Sequence, residues 1–294
     1  MTTRSRHRKV GRCRIGVKPL LLALGLVLSG CSSTQFAYNQ LGTIILWKTG
    51  DYVDLTSAQR TWLRSEITAL LDWHRKEELP QYSQFLAQAE LSLDAPLTEH
   101  RVAALRIPID RALDRLQIRI YDLLFRGAPL LTAEQTEDLM TTLRNDQDDL
   151  ERELLARDER QYRADTYARL ESQLSRVLGR LSPDQRAHLE QASNDIGRID
   201  HLWLRDRSRW QMDLEQMIAA QPNEWPIAAS AYFNGNNTLS SPEYQALWQS
   251  NTQVITRATV AVLTQRSARQ DRHLRRWLSD LREDFDALVA NSVQ

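Results

Sequence analysis

Residues 131–140 read Leu-Thr-Ala-Glu-Gln-Thr-Glu-Asp-Leu-Met. The Thr132 hydroxyl is placed to accept the backbone N–H of Gln135, and the Gln135 side chain to reach back to the backbone N–H of Thr132, a reciprocal cap that starts a helix. Leu139, seven residues after the cap, falls two turns on, where a helix buries its apolar stripe. The start recurs as Leu55-Thr56-x-x-Gln59 with Leu63 and as Leu181-Ser182-x-x-Gln185 with Leu189. Weaker forms are Leu97-Thr98-x-x-Arg101 with Leu105 and Leu239-Ser240-x-x-Glu243 with Leu247. The five caps lie 42, 34, 50 and 58 residues apart, so they mark helix boundaries rather than the period of a solenoid.

Between these starts the apolar residues keep helical spacing. Leu63, Ile67, Leu70, Leu71 and His74 share one face; Pro80 bends or ends that helix, and Tyr82, Phe85 and Leu86 resume the stripe. Residues 98–126 predict a helix with a kink at Pro108 and a stop at Gly127. Residues 132–180 contain one glycine and no proline, which predicts one helix about 70 Å long. Four acid-to-arginine pairs along it (Asp148/Arg152, Glu153/Arg157, Glu159/Arg163 and Asp165/Arg169) support a solvated helix. Residues 183–220 approximate a heptad, 221–241 read as a loop or a short helix between turns, and one long helix follows Pro242. No segment alternates with period two for long enough to make a strand. The fold class is all-α: long antiparallel amphipathic helices in an extended bundle, with no sheet. Residues 41–294 form a single domain, with possible sub-bundles 41–127 and 132–294.

The 294 residues are 42% hydrophobic and 26% charged, the balance of a folded chain. The net charge of zero hides an asymmetry. Residues 1–30 hold seven of the 38 cations and no acid, so the remainder is about seven charges negative. After this basic stretch comes the apolar run Leu20–Leu28, nine residues and too short to span a bilayer, which needs about 20. It has the length and flanks of a secretory leader. The run closes on Leu28-Ser29-Gly30-Cys31, which resembles the lipobox of bacterial lipoproteins. That resemblance implies cleavage before Cys31, acylation of its thiol and a mature chain anchored to membrane. Ser32 after the cysteine resembles the pattern that permits transfer to the outer membrane, on its periplasmic face. With Cys13 lost and Cys31 capped, no disulfide and no thiolate ligand remains. Residues 31–40 read as a short polar tether, so the folded part sits close to the membrane. Leu41, Ile44, Ile45 and Trp47 then lie on the lipid surface or form a first helix docked on the bundle.

Tyr38-Asn39, Trp47, Asp51-Tyr52-Val53-Asp54-Leu55, Gln59, Trp73-His74-Arg75 and Glu78-Leu79-Pro80 resemble the signature of a family of Gram-negative lipoproteins known only as a domain of unknown function. This likeness implies location and fold class but no activity. The L-T-x-x-Q starts also resemble those of periplasmic chaperones of the Spy and CpxP kind. That likeness implies an ATP-independent holdase.

Residues with chemical potential are few. His74 and Glu78, four apart with Asp51 and Asp54 upstream, are short of the three or four ligands zinc needs, and the plain reading is a histidine held by Glu78 near the Pro80 bend. Asp51, Asp54 or Glu78 could serve a cell-wall hydrolase as paired carboxylates. Glu171-Ser172 resembles the acid of lysozyme-like transglycosylases without the segments expected after it. Nucleotide, zincin and hydrolase-elbow motifs do not occur. The arginine run 266–282 is interleaved with acids and reads as a neutralised surface. The expectation is an envelope interaction or scaffold protein with no catalytic residue, metal or cofactor, no nucleic-acid or nucleotide partner, and an envelope protein or cell-wall partner. Its candidate surface is Trp47, Asp51, Tyr52, Asp54, Trp73, His74 and Glu78, with Cys31 as lipid attachment.

Overall fold

The structure, a computed structural model, describes residues 31–220, 223–235 and 240–291, the side chains of 31–33 and 234–235 excepted. The leader reading and the Cys31 thiol lie outside what it describes. The described residues contain no strand. Helices run α1 Cys31–Thr49, α2 Ser57–Trp73, a π-helical turn His74–Glu78, α3 Leu79–Ser92, α4 Glu99–Ala104 and α5 Arg106–Gly127. After a 3-10 turn Ala128–Leu130 come α6 Ala133–Leu155, α7 Glu159–Leu178, α8 Pro183–Asp195, α9 Asp200–Ala220, α10 Trp225–Gly235, α11 Pro242–Thr264 and α12 Ala268–Ala290. The main core lies between α3, α7, α8, α11 and α12, where Leu178, Leu181, Leu189, Val262 and Leu281 are buried. A second core joins α6, α9 and α10 through Met140, Leu214 and Trp225. Smaller ones place Tyr38 of α1 against Leu79 and Leu288, and Leu63 and Ile67 against Leu123.

The repeated start motif organises this packing in pairs. The boxes Thr56/Gln59 and Thr132/Gln135 both form, and the two glutamines face each other. Each amide nitrogen donates to the partner's amide oxygen at 2.9 Å and to a backbone carbonyl, Leu130 for Gln59 and Asp54 for Gln135. A second pair joins Ser182/Gln185 to Ser267/Gln270, with Gln185 donating to the carbonyl of Val262 and Gln270 to that of Arg180. Each oxygen accepts one bond from its own cap and one from its partner, so both N–H groups and both lone pairs of every glutamine are used. The second pair is buried, with Gln185 fully enclosed. Only such complete satisfaction lets a polar amide sit there without penalty.

Several sequence expectations are corrected. Residues 31–40 are not a tether: they form the first half of α1, with Tyr38 buried and Gln35 donating to Asp284 of α12. The single helix over 132–180 breaks at 156–158 because Arg198 donates to the carbonyls of Leu154 and Arg157, closing α6, while Asp158 caps α7. Of the four acid-to-arginine pairs Glu159–Arg163 forms an ion pair as spaced, whereas Arg152 reaches Asp149 and Arg157 pairs with Asp165 and Asp200. The heptad over 183–220 is interrupted at Gly197, whose N–H and carbonyl are both held by the Asn251 amide. Leu247 packs where a Gly197 Cβ would stand. The helix after Pro242 is two, parted before the Ser267 cap. Helix α5 does end at Gly127, but not through a left-handed glycine cap: a 3-10 turn follows, and Gly127 keeps right-handed helical angles. Its missing Cβ admits the Trp62 ring, which would lie 2.8 Å from it. Nor does packing follow the boundary near 130, since α12 lies against α3 and α1.

Two expectations stand. Pro108 supplies no N–H to the Ala104 carbonyl, and the chain breaks between α4 and α5 there. Among the arginines of 266–282, Arg266 and Arg275 pair with Asp271, and Arg282 with Glu90.

Removing one member of a buried amide pair strands the other. Gln185→Ala is expected to lower the unfolding free energy by about 2–3 kcal/mol, and the more exposed Gln59→Ala by only about 1 kcal/mol, in urea titrations followed by circular dichroism.

Candidate functional site

Pro80 cannot donate to the Lys76 carbonyl, so the helical ladder is interrupted wherever the chain places it. The chain answers with one widened turn: the Leu79 N–H bonds the His74 carbonyl, five residues back. Such π turns are rare and recur at functional positions. Here the turn directs both His74 and Glu78 into the protein, at 4% and 1% exposure.

His74 sits among aromatic rings. Its Nδ1 lies 2.9 Å from the Tyr38 hydroxyl of α1 and its Nε2 3.4 Å from the Tyr82 hydroxyl of α3. Trp73 and Tyr82 meet it edge-on, and Phe285 of α12 packs against Tyr82. Burial lowers the His74 pKa to about 4, the nearby Glu78 charge opposing only part of the shift. Burial likewise pushes the Tyr38 phenol up to about 12 and raises that of Tyr82, which also faces Glu78. At neutral pH the site is therefore an uncharged imidazole between two uncharged phenols.

Glu78 is not the partner of His74 that the spacing suggested. Its two oxygens take Arg115 of α5 in a fork, Nε to Oε1 at 2.6 Å and Nη2 to Oε2 at 2.7 Å. This geometry is the strongest a carboxylate and a guanidinium can adopt. Arg115 is a third exposed, so its charge stays partly hydrated while that of Glu78 does not. Nothing about residue 115 in the sequence announces this contact with a residue 37 positions away. Tyr38 and Asn39 were visible only as part of a family pattern; Asn39 accepts from Arg75.

Of the other expected surface residues Trp73 touches this site, edge-on to His74, whereas Trp47, Asp51, Tyr52 and Asp54 do not join it. Trp47 points outward on α1 at 63% exposure, with Lys48 over its ring. Asp51 pairs with Lys48 at the exposed α1–α2 turn. Tyr52 donates to Asp146 of α6, and Asp54 gives its backbone carbonyl to Gln135. Trp73 lies under Arg119. Glu171 is engaged by Arg186. Missed altogether was Arg207, buried beside the rings of Trp203 and Trp210. Burial lowers its pKa, with Tyr52 and Asp146 opposing. Among the described residues no cluster of histidine and carboxylates has the geometry to hold a metal ion. Surface grooves lie elsewhere, one lined by Arg205, Arg209, Met212 and Glu243.

The buried site therefore acts as a polar knot tying α1, α2, α3 and α5 together, with α12 behind it. Between pH 4 and 6.5 the unfolded chain protonates His74 and the folded chain does not, so this group's contribution to stability falls as the pH drops through that window. The loss is expected to approach on the order of 3 kcal/mol at pH 4, and His74→Gln should flatten the slope in urea unfolding measured from pH 7 downward. Arg115→Met strands the buried Glu78 charge and is expected to cost about 2–3 kcal/mol in the same assay at pH 7, with part recovered in the double variant Glu78→Gln/Arg115→Met.

No curated protein and no solved structure matches the chain. A sequence family matches residues 51–245, a span that starts at the α1–α2 turn, includes His74, Glu78 and Arg115, and ends at the start of α11. The chain belongs to the family of unknown function DUF6279.

Proposed function

We propose that the chain is an envelope lipoprotein, acylated at Cys31 and held on the periplasmic face of the outer membrane, where it acts through contacts rather than catalysis. The observation that carries this reading is the position of Cys31. The cysteine of the lipobox is the first residue of α1, and α1 is docked on the bundle by Tyr38, Leu41 and Leu46. Acyl chains at that residue would therefore hold the folded body directly at the bilayer, with no slack. Two or more chains anchor stably, since each buried methylene contributes about 0.8 kcal/mol.

The carboxylates that a wall hydrolase would need favour the non-catalytic reading: Glu78 is buried under Arg115 and Asp51 is paired at the surface. The partner on this reading is an envelope protein or the cell wall. A second reading, a holdase for unfolded clients, is favoured by α5. Ile109, Leu113 and Leu124 are exposed on one side of it and Ile107 and Ile118 on another, with Arg111 and Arg119 exposed as well, so an apolar, acidic polypeptide would find contacts there.

Cys31→Ala is expected to move the protein from the membrane pellet to the soluble periplasmic fraction, and mass spectrometry of the native protein to show an acylated residue 31. Unchanged fractionation of the variant would refute the anchor. Suppression of client aggregation at stoichiometric protein, lost in Leu113→Asp/Leu124→Asp, would select the holdase.

A further inference from the structure

Helix α1 differs in composition from the rest of the chain. The whole sequence is 26% charged, yet the 19 residues of α1 include a single charged residue, Lys48. One face is accounted for: Tyr38, Leu41, Ile45 and Leu46 enter the smaller cores, and the Gly42 backbone approaches Ile67 and Leu71. The opposite face is exposed and made of Phe36, Asn39, Gln40, Thr43, Ile44 and Trp47. At about 100° per residue, Phe36, Gln40, Ile44 and Trp47 fall within an arc of about 80°. Phe36 and Trp47 are 67% and 63% exposed. The water-facing sides of α5 and α12 carry ion pairs such as Arg106–Asp110 and Arg275–Asp271; the exposed side of α1 carries no charge between residues 31 and 47.

We infer that this face of α1 lies on the bilayer, in the layer between headgroups and acyl chains. The inference rests on the lipid anchor at Cys31 proposed above, and that anchor selects lipid as the occupant. A helix whose first residue is acylated begins at the membrane. Because α1 is fixed to the bundle along its length, its direction is set by the body and not by a linker. Phe36 then lies about 8 Å and Trp47 about 24 Å along the axis from the anchor, at a rise of about 1.5 Å per residue. Both reach lipid together only if the helix runs along the surface. Phe36 and Ile44 would enter the acyl region, while Trp47 and Lys48 have the amphipathic form that sits at headgroup level. The uncharged amide of Gln40 and hydroxyl of Thr43 place no ion in a layer of low dielectric, and the Arg75 guanidinium that donates to Asn39 lies at the flank, since Asn39 falls about 60° outside the arc. The body is thereby oriented as well as tethered.

The test uses the lipidated mature protein in vesicles of phosphatidylethanolamine and phosphatidylglycerol. With Cys13 removed and Cys31 acylated, an introduced cysteine is the sole reactive thiol. Phe36→Cys, Ile44→Cys and Trp47→Cys carry an environment-sensitive fluorophore, with Leu155→Cys, exposed at the end of α6, as control. The α1 labels are expected to be quenched roughly threefold or more beyond the control by lipids bearing a nitroxide high on the acyl chain. Labels as wet as the control on protein that stays with the vesicles would overturn this face and leave the anchor standing. Labels that are dry but unquenched would assign the face to another protein or a second copy, and overturn it too. Protein that washes off the vesicles would overturn the anchor, and this inference with it.

Discussion

Every helix start leaves backbone N–H groups without intrahelical partners, and in a fold made only of helices these groups must be satisfied many times over. This chain satisfies them cooperatively. Two helix starts face each other, and the glutamine that closes each cap also closes the contact with its neighbour, at Gln59/Gln135 and again at Gln185/Gln270. The same side chain that decides where a helix begins thus decides which helix start it meets. The contact is an amide pair, so it tolerates no change of register: a shift of one residue would leave buried amide atoms unbonded. With no disulfide available among the described residues, such fully satisfied polar contacts and the leucine-rich cores beside them hold the helices in place.

The second polar centre works differently. The π turn forced near Pro80 sends His74 and Glu78 inward, and the protein meets their needs from α1, α3 and α5. His74 is kept neutral by burial, Glu78 is held in the fork of Arg115, and neither is open to a substrate. Tyr38 ties this centre to α1, because the residue that fixes α1 to the bundle also bonds the histidine. Placement of α1 and integrity of the buried site are one packing problem. The family match covers the turn with His74, Glu78, Tyr82 and Arg115, but it begins after α1 and ends at the start of α11, so Tyr38 and α12 lie outside it.

A lipoprotein whose body hangs on a flexible linker samples many orientations, whereas one whose acylated residue opens a docked helix does not. On the reading proposed here, the charge-poor outer face of α1 and the absence of a linker together give the body a defined underside. The exposed aliphatic side chains of α5 and the groove near Arg205 would then be presented to the periplasm at a fixed angle. A protein that acts through contacts gains specificity from such presentation, because the surfaces it offers are restricted before any partner arrives.

The helical class, the start sites and most of the buried stripes were legible in the sequence, because capping and periodicity are local: Thr56, Thr132 and Ser182 act within one turn of themselves. Starts without the preceding leucine were missed, although Ser267-x-x-Gln270 and Asp158-x-x-Gln161 have the same spacing. Helix ends proved harder to read than starts. The break after α6 depends on Arg198, and the break at Gly197 on Asn251, both far along the chain. The partner of His74 was misread for the same reason, since Glu78 is its neighbour in the helix while Tyr38 and Arg115 reach the site from other helices. Sequence by itself determined what each segment prefers, through interactions spanning three or four residues. Which buried charge met which, and which face of α1 stayed uncovered, only the tertiary structure decided, because those contacts join residues that are neighbours solely after the helices have packed.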